Sequence, residues 1–296
     1  MQSNNPVFRR SEEFNRANSY GNRTYPGNGA AYQGYGAPQQ QYTGYAPAPA
    51  GYGDPTTTAA GTGRMTIDTV VQSTAITLGI TIVTAALTWF LTPDVATDPA
   101  AAIPALTGAM LVGSGAAFIL SLVNSFKRVV NPALVMLFAV AEGVALGALS
   151  KFYDAAFGVD SGYGGIVVQA VVGTFAAFAG TLAAYKFFDI KVGQKFRTFV
   201  IAAMFGMVAL SLLEIVLGLF GSQLGLFDFG AMGLLFSVAG LVLGVFMLIL
   251  DFDFVEQGIR NGLPARESWR ASFALLVSLV WIYTNLLRIL AILQQD

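Results

Sequence analysis

The 296-residue chain contains no cysteine and no histidine. Without cysteine it can form no disulfide, thiol nucleophile or thiolate metal site. Without histidine, the Ser-His and Cys-His hydrolases and the helical zinc motifs are excluded together. Imidazole cannot sense pH here, so any pH response has to come from carboxylates in unusual surroundings. Charge is scarce as well. Only 11% of residues are Asp, Glu, Lys or Arg, against about 25% in soluble domains. The net charge of -1 gives nucleic acid no handle. With 55% hydrophobic residues, the composition is that of an integral membrane protein.

Residues 1–64 differ from the rest. Six of the 11 Pro and seven of the 11 Tyr lie there, among Gly, Gln, Asn and Ala, with no hydrophobic period. Such a segment buries too little surface to offset its ordering entropy, and the expectation is a disordered tail. It has no apolar core near Met1 and does not read as a signal peptide. Its recurring Gly-Tyr steps are either adhesive sites for protein partners or a solvated linker. Residues 65–296 form the second unit, a membrane domain.

Seven runs in that unit are long enough to cross ~30 Å of hydrocarbon as helices. They are Ser73–Leu91, Ile103–Val123, Ala133–Leu149, Ile166–Tyr185, Phe199–Phe220, Met232–Leu250 and Phe273–Leu293. The fold class is therefore all-α, with seven transmembrane helices. Of the 16 Lys and Arg, fourteen fall before span one or after spans two, four and six, on one side of the membrane. Lys151 lies on the other side and Arg288 inside span seven. The positive-inside rule then puts the N-terminus in the cytoplasm and the C-terminus outside. Retinal proteins and heptahelical receptors have the reverse orientation, and a retinal protein needs a lysine in its last span.

Polar groups within spans are costly in hydrocarbon and mark functional candidates. The sequence centres them on a hairpin of the last two spans. Asp251 and Asp253 close span six, the chain turns through Gly258, Gly262 and Pro264, and span seven carries Asn285 and Arg288 on one face. With the turn centred near residue 268, Asp251 and Asn285 come to similar depth. Asp251 reads as a proton-sensitive latch, and Asp253 as a second acid in water near Arg260. Arg288 either finds an acceptor such as Glu142 or snorkels outward. Glu142, in the middle of span three, is placed to line an ion path or to make one interhelical hydrogen bond. Glu214, near the outer end of span five, reads as interfacial. Lys127-Arg128, with Asn124, Asn131 and Pro132, suggests a tight turn that meets anionic lipid headgroups. No phosphate-binding glycine loop is present. No cofactor is implied, and the metal question stays open.

Several of these pieces together resemble the Bax inhibitor family, most closely its actinobacterial-type branch. They are Met65-Thr66-Ile67-Asp68, Val123-Asn124-Ser125-Phe126-Lys127, Ala141-Glu142-Gly143, Leu250 through Gly258, and Val280-Trp281-Ile282-Tyr283 leading to Leu287-Arg288. The resemblance covers residues 65–296 and not the tail. It implies six helices around a central seventh, working as a pH-sensitive calcium leak in a bacterial inner membrane. It also implies a latch in which one aspartate on span six and one on span seven share a proton. Asp251 matches the first position and Asn285 falls on the second, where relatives carry Asp or Glu. Membrane lipids, calcium ions and proteins bound through the tail are the expected partners. Two rivals are a non-transporting scaffold or stress regulator, and an intramembrane aspartyl protease. The protease needs two carboxylates sharing a water, and span seven has none. The protein is therefore read as not an enzyme.

Overall fold

A computed structural model describes residues 63–158 and 165–295. Nearly all of the expected tail thus lies outside the described residues. Within them are seven long apolar helices, each sufficient to span a bilayer: α1 (Ile67–Leu91), α2 (Pro99–Phe126), α3 (Pro132–Phe157), α4 (Gly165–Phe187), α5 (Gln194–Leu219), α6 (Ala231–Arg260) and α7 (Ser268–Leu293). A short 3-10 turn, Ala265–Glu267, leads into α7. Backbone amides and carbonyls have no water partner in hydrocarbon, so helices that satisfy themselves are the expected solution.

The helices overrun the hydrophobic windows, because hydropathy marks the edge of the hydrocarbon and not the end of the helix. The largest overrun is in α6. It continues ten residues past Leu250, through Asp251, Asp253 and Gly258, and ends only at Arg260. Gly258 is therefore no turn residue. It lies inside the helix, where an added Cβ would come within 3.0 Å of the Met65 sulfur. The turn proper is Asn261–Pro264, with Gly262 at φ +64°.

The seventh helix is central, as the resemblance implied, and four helices pack most closely on it. α1, α3, α4 and α6 pack on α7, while α2 lies mainly on α3 and α5 mainly on α6. Outward faces carry exposed residues such as Leu111, Phe118, Phe205 and Leu213. In a bilayer these are lipid-facing.

Small residues set how closely the helices approach. Gly143 and Gly147 let α3 lie against α1, since a Cβ at Gly147 would meet the Ala85 carbonyl oxygen at 2.4 Å. Gly113 does the same for α2 on α3, with the Ala145 nitrogen 2.7 Å from its ideal Cβ. Gly240 and Gly244 bring α6 onto Asn285, Ile282 and Trp281 of α7. The α1 hydroxyls Thr77, Thr81, Thr84 and Thr88 each donate to a carbonyl one turn back, and Thr81 also reaches the Ala139 carbonyl at 3.2 Å.

Gly147→Leu is expected to push α1 off α3 and destabilise the protein by about 1–3 kcal/mol. Gly79→Leu, where a Cβ meets nothing within 4 Å, is expected to be neutral. Thermal unfolding of the two variants in detergent, beside the wild type, checks this.

Candidate functional site

The hairpin of α6 and α7 carries a buried polar contact between its two helices. Asp251 is 5% exposed, and Ser278 of α7, 1% exposed, donates its hydroxyl to Oδ2 at 2.5 Å. At 1.5 Å per residue, Asp251 sits about 14 Å inside the Arg260 end of its helix. Leu248, Phe252, Leu275, Leu279 and Ile282, on the same stretches of the two helices, belong to one buried apolar cluster. Among the described residues, no ion pair involves Asp251.

This geometry corrects the expected partner. The Asn285 side chain lies against Gly240, whose ideal Cβ would come within 2.3 Å of Asn285 Oδ1, and Nδ2 donates to the Trp281 carbonyl at 2.7 Å. Asn285 is two turns beyond Ser278, a rise of about 10 Å. The turn sits at Asn261–Pro264 and not near residue 268, which shifts the register by those two turns. Asp251 and Asn285 are not brought together. Serine at 278 gave no signal in the sequence, because hydroxyls are common in spans and usually bond their own helix.

Asp253 is also not a water-exposed neighbour of Arg260. It is buried in an ion pair with Arg197 of α5 and accepts from Gln257 Nε2 at 2.8 Å. Arg260 pairs instead with Glu256, which also accepts from the Tyr185 hydroxyl at 2.6 Å. The α6–α7 turn holds a second buried pair that sequence reasoning did not single out. Arg270 Nε donates to Glu267 Oε2 at 2.8 Å, and the Arg270 guanidinium reaches the Arg128 carbonyl at 2.9 Å. The α2–α3 turn is thereby tied to the base of α7. Asn131 caps α3 through the Ala133 amide at 3.0 Å, and Asn124 donates to the Leu134 carbonyl at 3.2 Å. That turn is as tight as expected.

At the opposite end of the bundle, Arg288 neither snorkels free nor meets Glu142. It donates to the Leu226 and Asp228 carbonyls in the loop between α5 and α6, and lies 5.6 Å over the Phe227 ring. Glu214 is buried there rather than interfacial. Its carboxylate accepts from the Leu224, Gly225 and Leu226 amides at 2.9, 3.0 and 3.1 Å. Gly221 and Gly225, both at positive φ, let the loop fold back onto it. Leu226 is thus held through its N–H by α5 and through its C=O by α7. Glu142 is half-buried in the middle of α3, away from both charge clusters. Glu214→Ala leaves three amides without their acceptor, at a cost of about 1–3 kcal/mol of local stability. Hydrogen exchange at Leu224, Gly225 and Leu226 is expected to rise roughly 5- to 150-fold, while exchange at the Asp251 end stays unchanged.

Seven apolar helices, with carboxylates buried against hydroxyl, amide and guanidinium partners, define an integral membrane protein of polytopic, all-helical type. A family profile described as Bax inhibitor 1 like matches residues 5–295. The chain belongs to that family. The match starts well before residue 65, so the family relation takes in the tail that the motif resemblance left out. A comparison with curated proteins found no match.

Proposed function

We propose that the protein is a pH-sensitive cation leak, with calcium the expected ion, latched by the contact between Asp251 and Ser278. The reading is supported by membership in the Bax inhibitor 1 like family and by one observation above the rest. A carboxyl group buried between the last two spans has a hydroxyl as its hydrogen-bond partner and, among the described residues, no counter-ion. Gaining or losing a proton there adds or removes a charge within an apolar interface, which is the kind of change that moves packed helices. Glu142 supplies a second acid on the path. In this reading the Lys and Arg distribution favours a cytoplasmic N-terminus, the family resemblance implies a bacterial inner membrane, and the tail binds proteins on the cytoplasmic side.

Calcium entry into dye-loaded liposomes containing the purified protein, scanned from about pH 5 to pH 8, tests this reading. Asp251→Asn is expected to abolish the pH dependence, because no proton can be exchanged at the latch. Ser278→Asp places a second carboxyl at hydrogen-bond distance from the first. Two such groups cannot both ionise freely, so the pH response is expected to sharpen. Asn285→Asp, two turns away, is expected to do neither. Absence of flux above empty liposomes, in protein shown to be folded, would favour a non-transporting scaffold.

A further inference from the structure

A crevice of about 620 Å³ opens on the flank of the bundle between α1 and α4. Its back wall is formed by α3 and α7, through Leu146, Gly147, Leu276 and Leu279. Its rim carries Ile82, Phe90, Val168 and Phe175, all of them exposed. The opening therefore faces sideways, into whatever surrounds the helices. Thr81 and Thr174 are in the walls, but both give their hydroxyl hydrogens to backbone carbonyls. That leaves a long apolar slot within the membrane-spanning region.

Polar groups gather at one end only. There the Ser150 and Tyr283 hydroxyls lie 2.6 Å apart, and the Asp154 side chain lines the same end. Asp154 stands three residues before the end of α3, and the ends of a spanning helix of this length reach the headgroup region. Trp89, near the end of α1, lines the crevice at the same end, as interfacial tryptophans do. Among the described residues no Lys or Arg is paired with Asp154. Lys151, one turn back, is engaged elsewhere, with Nζ donating to the Trp89 and Thr92 carbonyls at 2.8 and 2.6 Å.

The volume is that of an ordinary small-molecule site, but the door opens onto hydrocarbon. An empty apolar slot forfeits the dispersion contacts of its lining, and the molecules at hand to restore them are lipid tails. A carboxylate at the headgroup end complements an ammonium and repels a phosphate that carries no cation. We propose that this crevice binds one phospholipid with an amine headgroup, its acyl chain in the slot and its ammonium at Asp154.

Native mass spectrometry of the full-length protein tests the assignment. The protein is stripped of lipid in detergent, then offered phosphatidylethanolamine or phosphatidylglycerol with identical chains. One phosphatidylethanolamine is expected to be retained per protein, preferred over phosphatidylglycerol by roughly fivefold. Ala86→Trp and Val171→Trp fill the slot from opposite walls, and each is expected to remove the retained lipid. Asp154→Asn is expected to keep the lipid but lose the headgroup preference. It changes a partly exposed side chain, so it stays informative even if a tryptophan variant fails to fold. Wild-type protein that retains no lipid or retains both lipids equally would overturn the proposal, as would tryptophan variants that fold and retain lipid like the wild type.

Discussion

The register of α6 against α7 is the constraint from which the rest of the site follows. It is set where side chains are missing. Gly240 leaves room for the Asn285 amide, Gly244 for Ile282, and the Trp281 indole N–H donates to the Gly240 carbonyl at 2.8 Å. A helix advances 1.5 Å per residue, so contacts at one level fix every other level. With Gly240 beside Asn285, Asp251, eleven residues on, comes within about one turn of Ser278, near enough for the two side chains to meet. The same register sets the turn at Asn261–Pro264. There Met65 N–H donates to the Leu263 carbonyl at 2.6 Å, and Ala265 N–H to the Gly63 carbonyl at 2.8 Å. The chain entering span one is thus fastened to the hairpin that ends the bundle.

The charged groups are sorted between the two ends by different rules. At the turn end they pair with each other, as Arg197 with Asp253 and Arg270 with Glu267. At the opposite end they bind backbone instead, as Glu214 to three amides, Arg288 to two carbonyls and Lys151 to two more. A buried ion pair recovers its desolvation cost only with good geometry and further hydrogen bonds. Arg270 obtains the extra bond from the α2–α3 turn. Between the two ends remain Asp251 and Glu142, which form no ion pair among the described residues. These pairings account for the named charges at the ends and leave Asp251 and Glu142 within the spans to be explained by function.

The number of spans, their helical nature and their approximate positions were legible in the sequence, because hydrophobic length is a direct consequence of bilayer thickness. Asp251 was legible for the same reason, as an acid next to Met247-Leu248-Ile249-Leu250. Its partner was not. The charged run from Asp251 to Arg260 looks like a helix end, yet Asp253 is neutralised by a residue 56 positions away, so the helix continues. That continuation moved the turn and with it the register, and Asn285 was paired with the wrong level. Arg288 was rightly flagged as needing an acceptor, but backbone carbonyls in a distant loop leave no mark in a sequence. The crevice between α1 and α4 was illegible for a similar reason. Its walls are ordinary apolar residues, and only the spacing of four helices makes them concave.

In the proposed leak, serine opposite Asp251 changes what kind of latch the hairpin can be. Two carboxyls at hydrogen-bond distance share one proton, and losing it sets like charges against each other. A hydroxyl creates no such repulsion. It donates to an ionised carboxylate and can accept from a protonated one, so the hydrogen bond survives in both states. What the proton changes is the charge enclosed by Leu248, Phe252, Leu275, Leu279 and Ile282. The driving force for opening is then the cost of an unpaired charge in an apolar interface, not repulsion across it. In the proposed leak such a latch loosens gradually with pH, and its set point depends on how well the apolar cluster keeps water out. Residues that never touch an ion, Leu275 and Leu279 among them, would tune the response as strongly as the acid itself.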